Sequence, residues 1–273
     1  TPARRMGMHD RGSIAPGKIA DFLLLDDIAN FELVQTYKEG KVVYDRAAEP
    51  VKEGRCTSFP EHFYHSVHLD PLTEDRFTVK VDRPDGMVKC RLMTVLANTT
   101  FTRADIVEVP VKNGELDWES TPYCLAVIVE RHGKGGHAGY GLVGGDAIKR
   151  GAVATTYAHD HHNLLIMGRT KRDMLVAGNH IIAEQGGYCV ADEGKIIAHS
   201  GLPIAGILSD KPIPELGAEI AAVTDALVEL GYNHPHILMS VSTLSLPVSQ
   251  ELKMSDKGLI DTVKIEVVPL IVD

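Results

Sequence analysis

The sequence predicts a mixed α/β (α+β) fold, on three observations. Many short runs of apolar and β-branched residues read as strands, while only two segments carry helical periodicity. Those two segments fall irregularly among the strands, without the βαβα rhythm of a barrel, so no complete TIM barrel is expected in this chain. The composition is that of a globular chain: 44% apolar and 24% charged residues over 273 positions exclude a disordered chain. That length accommodates one or two domains of roughly 150 residues each.

Taken in order, Gly12–Asp26 combines a Pro16-Gly17 turn with the compact strand Phe22–Leu25. Val34–Tyr44 reads as two strands around a Glu39-Gly40 turn. A polar stretch from Arg46 to Phe59, with Pro50 and Gly54, is the expected boundary, and His62, His65 and His68 follow in an irregular crossing segment. Further strands are expected at Val88–Val95, Asp105–Val111, Tyr123–Glu130, Ala152–Tyr157, Leu164–Met167, Tyr188–Ala191, Lys195–His199 and Ile237–Leu246. Met174, Ala177, Gly178, Ile181 and Ile182 share one face of a helix over Arg172–Glu184, stopped by Gly186-Gly187. Leu216, Ile220, Val223, Leu227 and Leu230 mark a second helix from Pro214 to Leu230, with Gly231 as its left-handed stop.

Charge and cysteine usage bound the partners. With 28 Lys and Arg against 37 Asp and Glu, the formal charge is −9, and no basic stripe favours nucleic acid. No run reaches the 18 or so apolar residues of a membrane-spanning helix. Cys56, Cys90, Cys124 and Cys189 stand far apart without a CxxC pair, which suits buried thiols in a reducing, cytoplasmic setting.

The chemistry concentrates in one polar knot, His159-Asp160-His161-His162-Asn163, between two apolar strands. Three imidazoles, a carboxylate and an amide at a strand–turn–strand junction suit metal binding, proton transfer or recognition of a polar ring. The same residues also suit a hairpin tip whose Asp and Asn bond their own backbone. His159-Asp160-His161 is formally HxH, yet no later Asp/Glu/His series follows in a βα rhythm, and the HxE…PCxxC deaminase signature is absent. Glu130–Gly144 is a Gly-rich stretch, expected as a mobile loop whose amides could cradle an anion. It lacks the P-loop pattern, and its Gly139-Tyr140-Gly141-Leu142-Val143-Gly144 match to GxGxxG has no room for the following helix. His234-Pro235-His236 reads as a loop, and Ser240 and Ser242 lack a nucleophile elbow.

Arg11-Gly12…Pro16-Gly17-Lys18-Ile19-Ala20-Asp21 resembles the segment after the catalytic barrel in the amidohydrolase superfamily. The motifs Val129–Gly133, Lys149–Ala152, Ala158–Asn163, Leu202–Gly206 and Leu244–Asp261 resemble the C-terminal domain of bacterial adenine deaminases. The resemblance covers nearly the whole chain. It implies that residues 1–50 belong to a composite β-sandwich, 51–59 to a linker, and 60–273 to the family's α/β C-terminal domain. It also implies hydrolysis of adenine to hypoxanthine and ammonia. The Mn²⁺ or Fe²⁺ would be bound by a barrel that precedes this chain, with no cofactor held here. The opening Thr1 fits a cut downstream of that barrel. The implied partners are the N-terminal barrel segment, adenine and further copies in a homo-oligomer. On the same grounds His159, Asp160, His162, Asn163, Arg131 and His132 are expected near the substrate, with no catalytic residue in this fragment. The family more usually has Ser where His161 stands. Alternative roles are a structural or oligomerisation module, or part of a related amidohydrolase with another substrate. The roles of His62, His65, His68, His234 and His236 are left open.

Overall fold

The computed structural model describes residues 2–48 and 58–272. The chain divides into two compact units, Thr1–Arg55 and Cys56–Asp273. Positions 51–57 of the expected linker, and Cys56 with them, lie outside the described residues.

The first unit holds a short helix α1 (Pro2–Arg5) and an antiparallel sheet of β1 (Phe22–Asp27), β2 (Glu32–Lys38) and β3 (Lys41–Asp45). Glu39 and Gly40, at φ 52° and 76°, form the β2–β3 turn, whose paired left-handed residues match the twist of the strands. Asp21 pins that turn by accepting the Glu39 amide at 2.8 Å, and Phe22 stacks on its cross-strand partner Tyr37 at 4.4 Å. Leu23, Leu24, Val42 and Val43 remain exposed.

The second unit begins with β4 (Gly86–Val95), β5 (Thr102–Lys112), β6 (Glu115–Leu116), β7 (Cys124–Val129) and β8 (Ala138–Gly145). It continues through β9 (Ala152–Thr155), β10 (Leu164–Gly168), α2 (Lys171–Ala183), β11 (Gly187–Asp192) and β12 (Lys195–Gly201). Then come α3 (Ile213–Glu229), α4 (Ile237–Ser242), β13 (Leu252–Ser255), β14 (Gly258–Asp261), β15 (Glu266–Val268) and β16 (Ile271–Val272). A ten-stranded sheet runs in the order β12-β11-β9-β10-β7-β8-β4-β5-β6, with β16 also paired to β4. Its pairs are antiparallel except β4–β8.

The sheet is the middle of three layers, and strand periodicity decides which side chains go where. Leu125, Val127 and Val129 of β7 face Met174, Ala177 and Ile181 of α2 in one core. Cys124, Ala126 and Ile128 face the other core, built with Val223 and Leu227 of α3 and Leu252, Met254 and Leu259 of the β13–β14 hairpin. Every residue of β7 and β10 is buried, as a central strand covered on both faces must be. Among the described residues, no helix is long and apolar enough to cross a membrane.

Three expectations are corrected. Ile237–Leu246 is not a strand but α4 with a following 3₁₀ turn, Thr243–Ser245. Buried Ile237, Ser240, Val241 and Leu244 recur at helical spacing, and the Tyr232 hydroxyl meets the Ser240 hydroxyl at 2.8 Å. The Gly-rich stretch is a loop only to His137, because Ala138–Gly145 is the interior strand β8. Its glycines make room for neighbours: a Cβ on Gly139 would stand 2.0 Å from the Ser255 carbonyl oxygen, and one on Gly141 2.9 Å from Leu259. Finally, the left-handed residue ending α2 is Gln185 (φ 60°), ahead of Gly186. Its side chain accepts the Val67 amide at 3.0 Å and donates to the Ile182 carbonyl at 3.1 Å, which holds the turn without glycine.

Candidate functional site

Strands β9 and β10 pair through Thr155 and Leu165, so Thr156–Asn163 is the loop of an interior hairpin. Each end of the loop is tied down. The Thr156 hydroxyl donates to the Gly206 carbonyl at 2.6 Å and accepts the Gly187 amide at 2.9 Å. The His159 amide donates to the Ser242 carbonyl at 3.1 Å, and the Ser245 hydroxyl donates to the His159 carbonyl at 2.7 Å. The segment that ends α4 therefore braces the knot from behind.

This bracing gathers rings. Tyr157, His159 and His162 stand pairwise 5.1, 5.7 and 5.8 Å apart between centroids, with Tyr188 6.2 Å behind Tyr157. His161 Nδ1 accepts the Asn163 amide at 3.1 Å, which assigns the proton of its neutral ring to Nε2. That Nε2, and Nδ1 of His162, are buried without a hydrogen-bond partner. Burial pushes both imidazoles below the ordinary range, against the pull of Asp256 on His161 and of Asp160 on His162. Asp160 itself is exposed.

Asn163 is committed on both sides. Its carbonyl oxygen accepts the Arg131 amide at 3.3 Å, and its amide group donates to Asp256 at 3.1 Å. The other Asp256 oxygen meets His137 at 2.6 Å. Arg131, 1% exposed, sits beneath the knot and donates to the carbonyls of His162 at 2.5 Å, Ser66 at 2.7 Å and Ala205 at 2.9 Å, and to the Ser66 hydroxyl at 3.0 Å. Without a carboxylate in that set, burial lowers the guanidinium pKa to about 10, with Glu130 opposing. Gly206, at φ 73°, admits the guanidinium, since a Cβ there would lie 2.8 Å from it.

The Gly-rich loop does cradle an anion, but the anion is its own. The Glu130 carboxylate accepts the amides of His132, Lys134 and Gly136. Burial raises its pKa, and the three amides more than offset that, leaving it below the ordinary value. His132, exposed, reaches the His161 carbonyl at 2.9 Å, and the His68 amide donates to the Arg131 carbonyl at 2.8 Å.

The structure thus brings His159, Asp160, His162, Asn163, Arg131 and His132 into one cluster and adds Ser66, His137, Ala205, Ser242, Ser245 and Asp256. Asp256 lies in the family-like Leu244–Asp261 stretch, and nothing local in the sequence singles it out as a member of this cluster. Of the other histidines, His65 pairs with Glu61 at 3.0 Å, and His234 meets the Thr99 carbonyl at 3.2 Å, with its ring 6.3 Å from His236. Among the described residues, no group of three or more His, Cys, Asp or Glu side chains is arranged to hold a metal ion.

Residues 99–266 match the model of the adenine deaminase C-terminal domain family. The chain is similar to adenine deaminase 2 of Shouchella clausii, 47% identical over 272 residues covering 100% of this chain and 48% of that protein. It is equally similar to the adenine deaminase of Clostridium perfringens strain 13, 47% identical over 274 residues covering 99% and 48%. The adenine deaminase of Moorella thermoacetica is 38% identical over 265 residues covering 96% and 44%. The chain spans about half the length of the curated relatives it matches.

Proposed function

Because the chain belongs to the adenine deaminase C-terminal domain family, we propose that it forms the C-terminal part of a hydrolase converting adenine and water to hypoxanthine and ammonia. The observation carrying its own contribution is the convergence of Arg131, Gly206, Ser245 and Asp256, each from a family-like motif, on the Thr156–Asn163 loop. In this reading the knot faces the purine, helps exclude water and orients the ring. His159 and His162 supply ring faces and nitrogen atoms, and the burial that favours the neutral form of His162 suits an uncharged heterocycle. Arg131 and Asn163 act as positioning residues, since Arg131 is spent on Ser66 and on the carbonyls of His162 and Ala205, and Asn163 on the Arg131 amide and Asp256.

A divalent metal, Mn²⁺ or Fe²⁺, would activate the attacking water from the portion of the protein outside this chain. The residues described here do not fit that role, and no step in this reading passes through them to the metal. Residues 1–50 would complete a β-sandwich with that portion, with 51–59 as linker and 60–273 as the C-terminal domain. The buried thiols of Cys90, Cys124 and Cys189 support a reducing, cytoplasmic setting, and the partners would be adenine and further copies of the enzyme. The test is turnover by the protein extended to the length of its relatives. One hypoxanthine and one ammonia per adenine, with no turnover of guanine or hydantoins, is the expected result. Turnover of another ring in place of adenine would overturn it.

A further inference from the structure

A second imidazole cluster lies outside the knot. His180, on the last turn of α2, and His199, on edge strand β12, meet edge-to-face with ring centroids 4.8 Å apart and planes at 80°. Two imidazoles bound to one cation at nitrogen–metal distances of about 2.0–2.1 Å stand with centroids about 5 Å apart. The spacing therefore already fits a shared ion. His180 Nε2 is buried without any hydrogen-bond partner, a state that costs free energy unless something binds there. Both rings ride on regular elements that pack together, which fixes most of the geometry in advance.

The surrounding charge favours a cation. Glu184 stands one helical turn after His180 and is exposed. Lys211, the nearby positive group, is taken up by Glu219 and Glu215. We propose that His180 and His199 form a two-imidazole site for a nitrogen-preferring divalent cation such as Zn²⁺, with water filling the remaining positions. Paired imidazole nitrogens select this class over Mg²⁺ or Ca²⁺, which demand oxygen ligands. This site is independent of the purine-facing knot. A bound ion would clip the free edge strand β12 to α2.

The test is chemical footprinting of the full-length protein with diethylpyrocarbonate, with and without added ZnCl₂, read by mass spectrometry. Zn²⁺ should slow modification of exposed His199 at least fivefold, leave exposed His65 unchanged, and lose its effect in His180→Gln. Equal modification of His199 with and without Zn²⁺, or protection that persists in His180→Gln, would overturn the proposal. Should His180→Gln fail to fold, equilibrium dialysis of His199→Gln decides: it should bind one Zn²⁺ fewer than the unmodified protein, and equal binding refutes the site.

Discussion

At the scale of single residues, the site is defined by polar groups satisfied in unusual ways. Arg131 is a buried cation whose donors all go to neutral oxygens, and Glu130 is a carboxylate wrapped in its own loop amides. His161 and His162 are imidazoles that burial keeps unprotonated. The last point sets a pH dependence. Because the folded state lowers these pKa values, the unfolded chain binds more protons below the ordinary imidazole value of about 6.5. Stability is complete above that value and falls as the pH drops through it toward the lowered pKa. Glu130, also lowered, adds a further loss at more acidic pH, below the ordinary carboxylate value of about 4.3. The urea midpoint should therefore fall between pH 7.5 and pH 5.5, and His161→Asn should flatten that slope. A midpoint that holds or rises over the interval would contradict the burial account.

At the scale of elements, period and turn chemistry made most of the fold legible. Both long helices, the β9–β10 pair and the Glu39-Gly40 turn stand where apolar spacing and glycine placed them. What stayed hidden has a common cause. Strand β8 reads as loop because its glycines answer to the β13–β14 hairpin packed against them, a tertiary demand with no local signal. Ile237–Leu246 reads as strand because apolar residues alternating with Ser240, Ser242 and Ser245 mask a helical burial period. The knot was visible as composition, but Asp256, 93 residues beyond Asn163, reaches it only through the fold. A paired substitution tests the packing argument. Gly139→Ala should destabilise by about 1–3 kcal/mol or more, because its Cβ meets backbone atoms of Ser255 and Gly258. Gly217→Ala, with open space on the exposed face of α3, should stabilise by about 0.5–1 kcal/mol. Equal effects in thermal unfolding would refute the distinction.

At the scale of the whole molecule, a three-layer unit carries an interior hairpin loop tied through its backbone to the α4 region and through the Thr156 and Asn163 side chains to Gly206 and Asp256. Rigid support on several sides suits a loop that must present rings in one arrangement. It also brings Arg131, Gly206 and Asp256, far apart in the sequence, to one loop. The central claim, that this loop faces the purine of an adenine deaminase, is tested most directly by kcat/KM for adenine in the full-length enzyme carrying His159→Ala. The account predicts a fall of at least about tenfold with thermal stability retained, because the His159 ring is half-buried while this position is held through its own backbone by Ser242 and Ser245. An unchanged kcat/KM in the folded variant would contradict it.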